Sequence, residues 1–207
     1  LDILLEPAEV RVLGALLEKE STTPEYYPMS LNALVNACNQ KSNRHPVVSY
    51  DDETVSRAIE LLKMKRFAAA ISGGGRVAKY AQRFSETLNM GRRELALLCT
   101  LMLRGQQTLG ELRDRSERMH RFEDLSEVET CLQHLHERGM AAKLERRPGQ
   151  KESRYAHLLS GPPTAEDAGE AETASGYSSD RLTALEAEVA ELRAQVRALQ
   201  EKLESVL

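Results

Sequence analysis

The 207-residue chain has no tryptophan, and aromatic residues make up only 4% of it. That shortage disfavours an aromatic-rich β-sandwich and favours helices packed by Leu, Ala, Val and Met. Cysteine is equally sparse. Cys38, Cys99 and Cys131 are odd in number, form no CxxC pair, and lie in or beside apolar helical patterns. A disulfide framework and a structural zinc site are therefore not expected, and buried thiols in a reducing compartment are. The longest apolar run, Leu95 to Leu103, is interrupted by Thr100 and is too short to span a bilayer. No basic stretch precedes "LDILLEP", so neither a secretory leader nor a membrane partner is expected, and the location reads as cytoplasmic. A strongly basic domain, frequent in nucleic-acid binders, is also missing. The net charge is −4, with 11 basic and 11 acidic residues over 1–88, 13 and 11 over 89–160, and 4 and 10 over 161–207. Any nucleic-acid contact must come from local patches.

What the chain does have is 41% hydrophobic and 29% charged residues, as expected of a soluble and mostly folded protein. It also has an internal repeat. "ETVSRAIELLKMKRFAAAI" (53–71) aligns with "SEVETCLQHLHERGMAAKL" (126–144) at an offset of 73. Val55, Ala58, Ile59 and Leu62 fall on Val128, Cys131, Leu132 and Leu135, one face of an amphipathic helix. Upstream, Leu31 and Leu34 match Leu109 and Leu112, and Glu9 matches Glu94; downstream, Tyr80 matches Tyr155. Each half reads helix, helix, helix, strand, turn, strand. Pro7 suits a first helical turn. Capping boxes are expected at Ser49 to Asp52, Thr108 to Glu111 and Ser126 to Glu129. Gly73-Gly74-Gly75 and Pro148-Gly149 mark the hairpin turns. The expected fold is mainly α with small β-hairpins (α+β): two tandem winged-helix domains, 1–88 and 89–160.

The first copy carries two insertions, "STTPEYYPM" between helices one and two and "NQKSNR" between helices two and three. Asn39, Gln40, Lys41, Ser42, Asn43 and Arg44 form an unbroken row of hydrogen-bonding side chains. They could grip phosphate or a partner, or close on their own loop. "NQKSNR" with Pro46-Val47, "EVRVLGALLEKE" and "YPMSLNALVNAC" resembles the YceH-like family of bacterial proteins over roughly residues 4–160. The resemblance implies two winged helices in tandem, sometimes followed by a coiled segment, and assigns no activity. His45 stands where that family more often has Asp, which argues against acid chemistry there.

From Gly161 the composition turns small and acidic, so 161–179 reads as a flexible linker. A heptad repeat follows over 180–207, with Leu182, Val189, Val196 and Leu203 at position a and Leu185, Leu192, Leu199 and Val206 at position d. Val at two a positions with Leu at most d positions favours a parallel dimer. In that register Arg181 faces Glu186 and Glu188 faces Arg193 of the other strand. Fold-back of one helix on its own repeats is the alternative.

The third helices, which enter the major groove in helix-turn-helix proteins, offer mixed or acidic outer faces here. Better candidates for phosphate are Arg113, Arg115, Arg118 and Arg121 in the second helix and turn of copy two, and Arg146, Arg147, Lys151 and Arg154 in its wing. Glu111, Asp114 and Glu117 interleave with them, so surface salt bridging is the competing use. Gly73-Gly74-Gly75 lacks the Lys-Ser/Thr of a P-loop, and His134 and His136 point to different sides of a helix. No enzyme, cofactor or metal is expected. The expected function is DNA binding, as a transcriptional regulator dimerised through 180–207. The rival is a winged-helix protein-interaction scaffold whose partner is another protein.

Overall fold

The computed structural model describes residues 4–71, 77–146 and 152–162. These form a mixed α/β structure, mainly helical, with two small antiparallel sheets. Helix α1 (Pro7–Thr22) leads through a 3-10 turn at Pro24–Tyr26 and strand β1 (Met29–Ser30) to α2 (Leu31–Cys38). Helix α3 (Asp52–Met64), strands β2 (Ala68–Ile71) and β3 (Lys79–Gln82), and the short α4 (Phe84–Thr87) complete the first half. The second half runs α5 (Arg92–Arg104), α6 (Leu109–Ser116), α7 (Leu125–Glu137), β4 (Ala141–Lys143) and β5 (Tyr155–His157). The helix-helix-helix-strand-strand order thus occurs twice.

The repeat extends to single hydrogen bonds. Asp51 caps α3 by accepting from the Thr54 amide at 2.9 Å, and Asp124 caps α7 by accepting from Glu127 at 2.9 Å. These replace the caps expected at Ser49 and Ser126. A carboxylate at the N-cap both satisfies the orphan amide and complements the helix dipole. The box at Thr108 and Glu111 forms as expected, and Pro7 opens α1. Both third helices end on a left-handed residue, Arg66 (φ 62°) in the first half and Gly139 (φ 69°) in the second. Phe67 and Met140 then donate back to Leu62 and Leu135, each at 2.8 Å, turning the chain into the hairpin.

In the first sheet Ala68 pairs with Gln82 and Ile71 with Lys79, while Met29 of β1 pairs with Tyr80, giving the order β1-β3-β2. In the second sheet Ala141 pairs with His157 and Lys143 with Tyr155. Gln107 bridges Tyr155 there, as Met29 meets Tyr80. The matched tyrosines are therefore matched strand positions, each flanked on both sides.

One hydrophobic core runs through both halves. Every residue of α1 from Glu9 to Leu17 is buried, so this helix is covered on all sides and packs against both α3 and α5. A Cβ at Gly14 would lie 2.9 Å from Leu103 of α5, and the Gly14 carbonyl accepts from the Cys99 thiol at 3.3 Å. Only a glycine permits that approach without shifting Leu103.

Each half also carries the same lock between its first and third helices. Glu9 sits in the first turn of α1, accepts from the Glu6 amide at 2.8 Å, and meets Lys65 at the end of α3 at 2.7 Å. Glu94 sits in the first turn of α5, accepts from the Gly91 amide at 2.9 Å, and meets Arg138 at the end of α7 at 3.1 Å. Lys65 and Arg138 each donate as well to a carbonyl ahead of the first helix, at Leu4 and Leu88. Glu9 is fully buried, so removing its cation leaves an uncompensated charge. Lys65→Met should cost about 3 kcal/mol in urea unfolding. Arg138→Met, against the more exposed Glu94, should cost about 1 kcal/mol.

Candidate functional site

The "NQKSNR" tract follows α2 and runs across α1 towards the C-terminal end of α5. Arg44 is its anchor. Its guanidinium is fully buried and forms a bidentate pair with Glu18 of α1, at 3.0 and 2.6 Å. Its Nε donates to the Ala37 carbonyl at 3.1 Å. Arg11, also buried, donates to the Cys38 carbonyl at 3.2 Å and the Pro46 carbonyl at 2.6 Å. Two arginines thus satisfy the last carbonyls of α2, where the helix dipole favours positive charge.

The amides of the tract work in the same way. Asn39 closes a ring with Tyr50, donating to its carbonyl at 2.7 Å and accepting from its amide at 2.8 Å. Asn43, in the left-handed region at φ 61°, accepts from Arg104 of α5 at 2.6 Å. The His45 amide donates to the Leu103 carbonyl at 2.8 Å. Arg44 is therefore not free to bind phosphate, and Asn39 and Asn43 are engaged within the protein. The tract is a clamp joining α1, α2 and the end of α5. Gln40, Lys41 and Ser42 make no side-chain hydrogen bond among the described residues, and Lys41 and Ser42 are exposed.

The electrostatics follow from burial. Burial alone would raise the Glu18 carboxyl, but the hydrogen bonds and charge of Arg44, helped by Lys19 and Arg104, hold it below the usual carboxylate range. Burial pushes Arg104 down to about 10, with neighbouring Arg115 acting in the same direction. Burial also lowers Arg11, reinforced by Arg44.

Residues 5–150, which take in the first half, the clamp and the second half through β4, match the family described as "Protein of unknown function, DUF480". The chain belongs to the DUF480 family. It is 58% identical over 195 residues to a UPF0502 protein of Solibacter usitatus, covering 93% of this chain and 95% of that protein. A UPF0502 protein of Pelobacter propionicus is 49% identical over 207 residues, covering 96% and 94%. One of Aeromonas hydrophila is 47% identical over 212 residues, covering 98% of each.

In this DUF480 chain the cations of the second half divide into engaged and available sets. Arg115 and Arg154 close on opposite oxygens of Glu111, at 3.1 and 3.0 Å, and Arg154 also donates to the Gln106 carbonyl. Arg115 donates to Gln107 as well. Both are structural in this arrangement rather than open to phosphate. Among the described residues the exposed Arg113 side chain pairs with the adjacent Asp114 alone, while Arg121 is exposed with Glu117 at 4.0 Å. Arg118 and Arg146 are exposed and unpaired among the described residues. Arg147, Lys151 and the heptad positions from Leu182 to Val206 lie outside the described residues. No helix of the described residues is long and apolar enough to cross a membrane.

Composition-based reasoning missed Glu18, Arg11 and Arg104 as partners of the tract. One signal was available, since Arg11 stands alone inside the apolar run "VRVLGALL" and a buried arginine needs acceptors.

Arg44→Ala should destabilise the full chain by about 3 kcal/mol in urea unfolding, because it strands the Glu18 carboxylate. Lys41→Ala should stay within about 0.5 kcal/mol of the parent. Glu18 has its folded pKa depressed, so its contribution is complete above the unfolded value of about 4.3 and is lost as pH falls through the lower folded value. The stability difference between the parent and Glu18→Gln should accordingly be largest near neutral pH and shrink below about pH 4.

Proposed function

We propose that this DUF480 protein is a tandem winged-helix, YceH-like protein whose second repeat contacts the phosphate backbone of duplex DNA. In this reading it pairs through the heptads of 180–207. Support comes first from the element order, three helices and a hairpin in each half, with the outer faces of α3 and α7 exposed. The observation that carries it is the run from α6 into α7, which keeps Arg113, Arg118 and Arg121 exposed while neighbouring Arg115 and Arg154 are tied to Glu111. Arg146 at the end of the second hairpin's first arm is exposed as well. Exposed arginines beside a third helix can meet the phosphate backbone and position a protein on a duplex, whereas base edges carry the specificity.

A second reading is favoured by the acidic residues of α7. Glu129 and Glu137 are exposed beside Gln133, His134 and His136, a surface better suited to a protein partner than to phosphate. The first repeat contributes less to DNA binding than its composition suggests, because Arg44 is withdrawn into the core.

Anisotropy titration of full-length protein with a labelled duplex separates the two. Binding at low salt should weaken steeply as salt rises, and Arg118→Ala with Arg121→Ala should reduce the salt slope by about two. Absence of duplex binding at low salt would leave the scaffold reading. Sedimentation equilibrium tests the pairing: the parent should run as a dimer and Leu192→Asp, at a d position, as a monomer.

A further inference from the structure

Between α1 of the first repeat and α5 of the second lies a cavity of about 330 Å³. Its apolar surface comes from Leu17 of α1, from Leu95, Ala96 and Cys99 of α5, and from Met119 in the turn before α7. Cavities that hold small molecules begin at about this size and combine an apolar lining with a few fixed polar groups.

Ser21 and Pro24 also line it, and so do two charged side chains, Glu20 near the end of α1 and Arg92 at the start of α5. They are not paired with each other, and neither has an ion-pair partner among the described residues. Among the described residues the Glu20 carboxylate accepts only the Gln82 side-chain amide, at 2.7 Å on Oε2, and nothing on Oε1. Burial raises the Glu20 carboxyl, with Glu86 adding repulsion and Gln82 and Arg83 opposing it. The Arg92 side chain is exposed and makes no hydrogen bond among the described residues.

An apolar lining alone would select a hydrocarbon. An unpaired carboxylate alone would select an amine, and an unpaired guanidinium alone an acid. We infer that the cavity binds a small zwitterion with an apolar body, of the class of hydrophobic α-amino acids, with its ammonium on Glu20 and its carboxylate on Arg92. Arg113, Arg118, Arg121 and Arg146 do not line this cavity, so ligand binding here and DNA binding stand or fall separately.

Calorimetric titration of the full chain with L-leucine, L-methionine and L-phenylalanine tests the inference. Saturable binding of at least one is expected. The amide of that amino acid, which lacks the carboxylate, and its deaminated acid, which lacks the ammonium, should each bind about tenfold more weakly or worse, the loss of one charge-assisted contact. Glu20→Gln should abolish the preference over the deaminated acid, and Arg92→Gln the preference over the amide. The Arg92 side chain is exposed and has no hydrogen-bond or ion-pair partner among the described residues, so its substitution remains decisive even if Glu20→Gln perturbs folding. No binding by any of the three amino acids overturns the inference. So does binding that Arg92→Gln leaves unchanged.

Discussion

The Glu18–Arg44 pair is the constraint around which the described residues are arranged. Both partners lie within the packing between α1, α2 and α5, where an isolated charge would be very costly. The geometry compensates: two short hydrogen bonds to the carboxylate, a third from Nε to the Ala37 carbonyl and a fourth to the Asn43 carbonyl. A buried pair of this kind adds little net stability over a well-packed apolar core, but it tolerates only one arrangement. With α1 buried from Glu9 to Leu17, apolar contact alone could be satisfied by several rotations of the helix. The bidentate pair selects one, and Arg11 holding both Cys38 and Pro46 selects the same one.

The features that occur twice differ in kind from the one that occurs once. Asp51 and Asp124, Arg66 and Gly139, and Lys65 and Arg138 each solve a problem internal to a repeat: starting a helix, ending it, or tying it to its neighbour. Every copy of the unit faces those problems, so each copy carries the solution. Joining two unlike copies arises once. The tract that does it is present in the first half alone, and it reaches the second half through Asn43 with Arg104 and His45 with Leu103.

The apolar face of α3 and α7 was readable because burial imposes a helical period, and Val55, Ile59, Leu62, Val128, Leu132 and Leu135 are all buried. Tyr80 and Tyr155 were readable as packing residues on matched strands for the same reason. The two-residue β1 has too few residues to show a period, so the third strand of the first sheet was invisible. Ser49 and Ser126 carried the hydroxyl-to-carboxylate spacing of a capping box, yet aspartates lay nearby and a carboxylate is the better acceptor at a helix start. The role of "NQKSNR" was the least legible. Its polar composition is shared by a loop that faces a ligand and one that faces its own backbone, and only the position of Glu18, 26 residues away, decides between them.

Withdrawal of Arg44 also changes what duplex binding can draw on. With Arg44, Arg115 and Arg154 committed to carboxylates and carbonyls, the cations proposed to meet phosphate reduce to a few on one repeat. Affinity for duplex falls with each phosphate left unneutralised, so one such repeat would hold DNA weakly at physiological salt. A heptad-paired dimer changes this without adding a contact, because the second engagement becomes intramolecular and its effective concentration replaces the bulk one. The proposed DNA binding and the proposed dimer are for that reason physically linked. If the duplex contacts rest on Arg113, Arg118, Arg121 and Arg146, as proposed, useful affinity would come chiefly from presenting two copies of them at once.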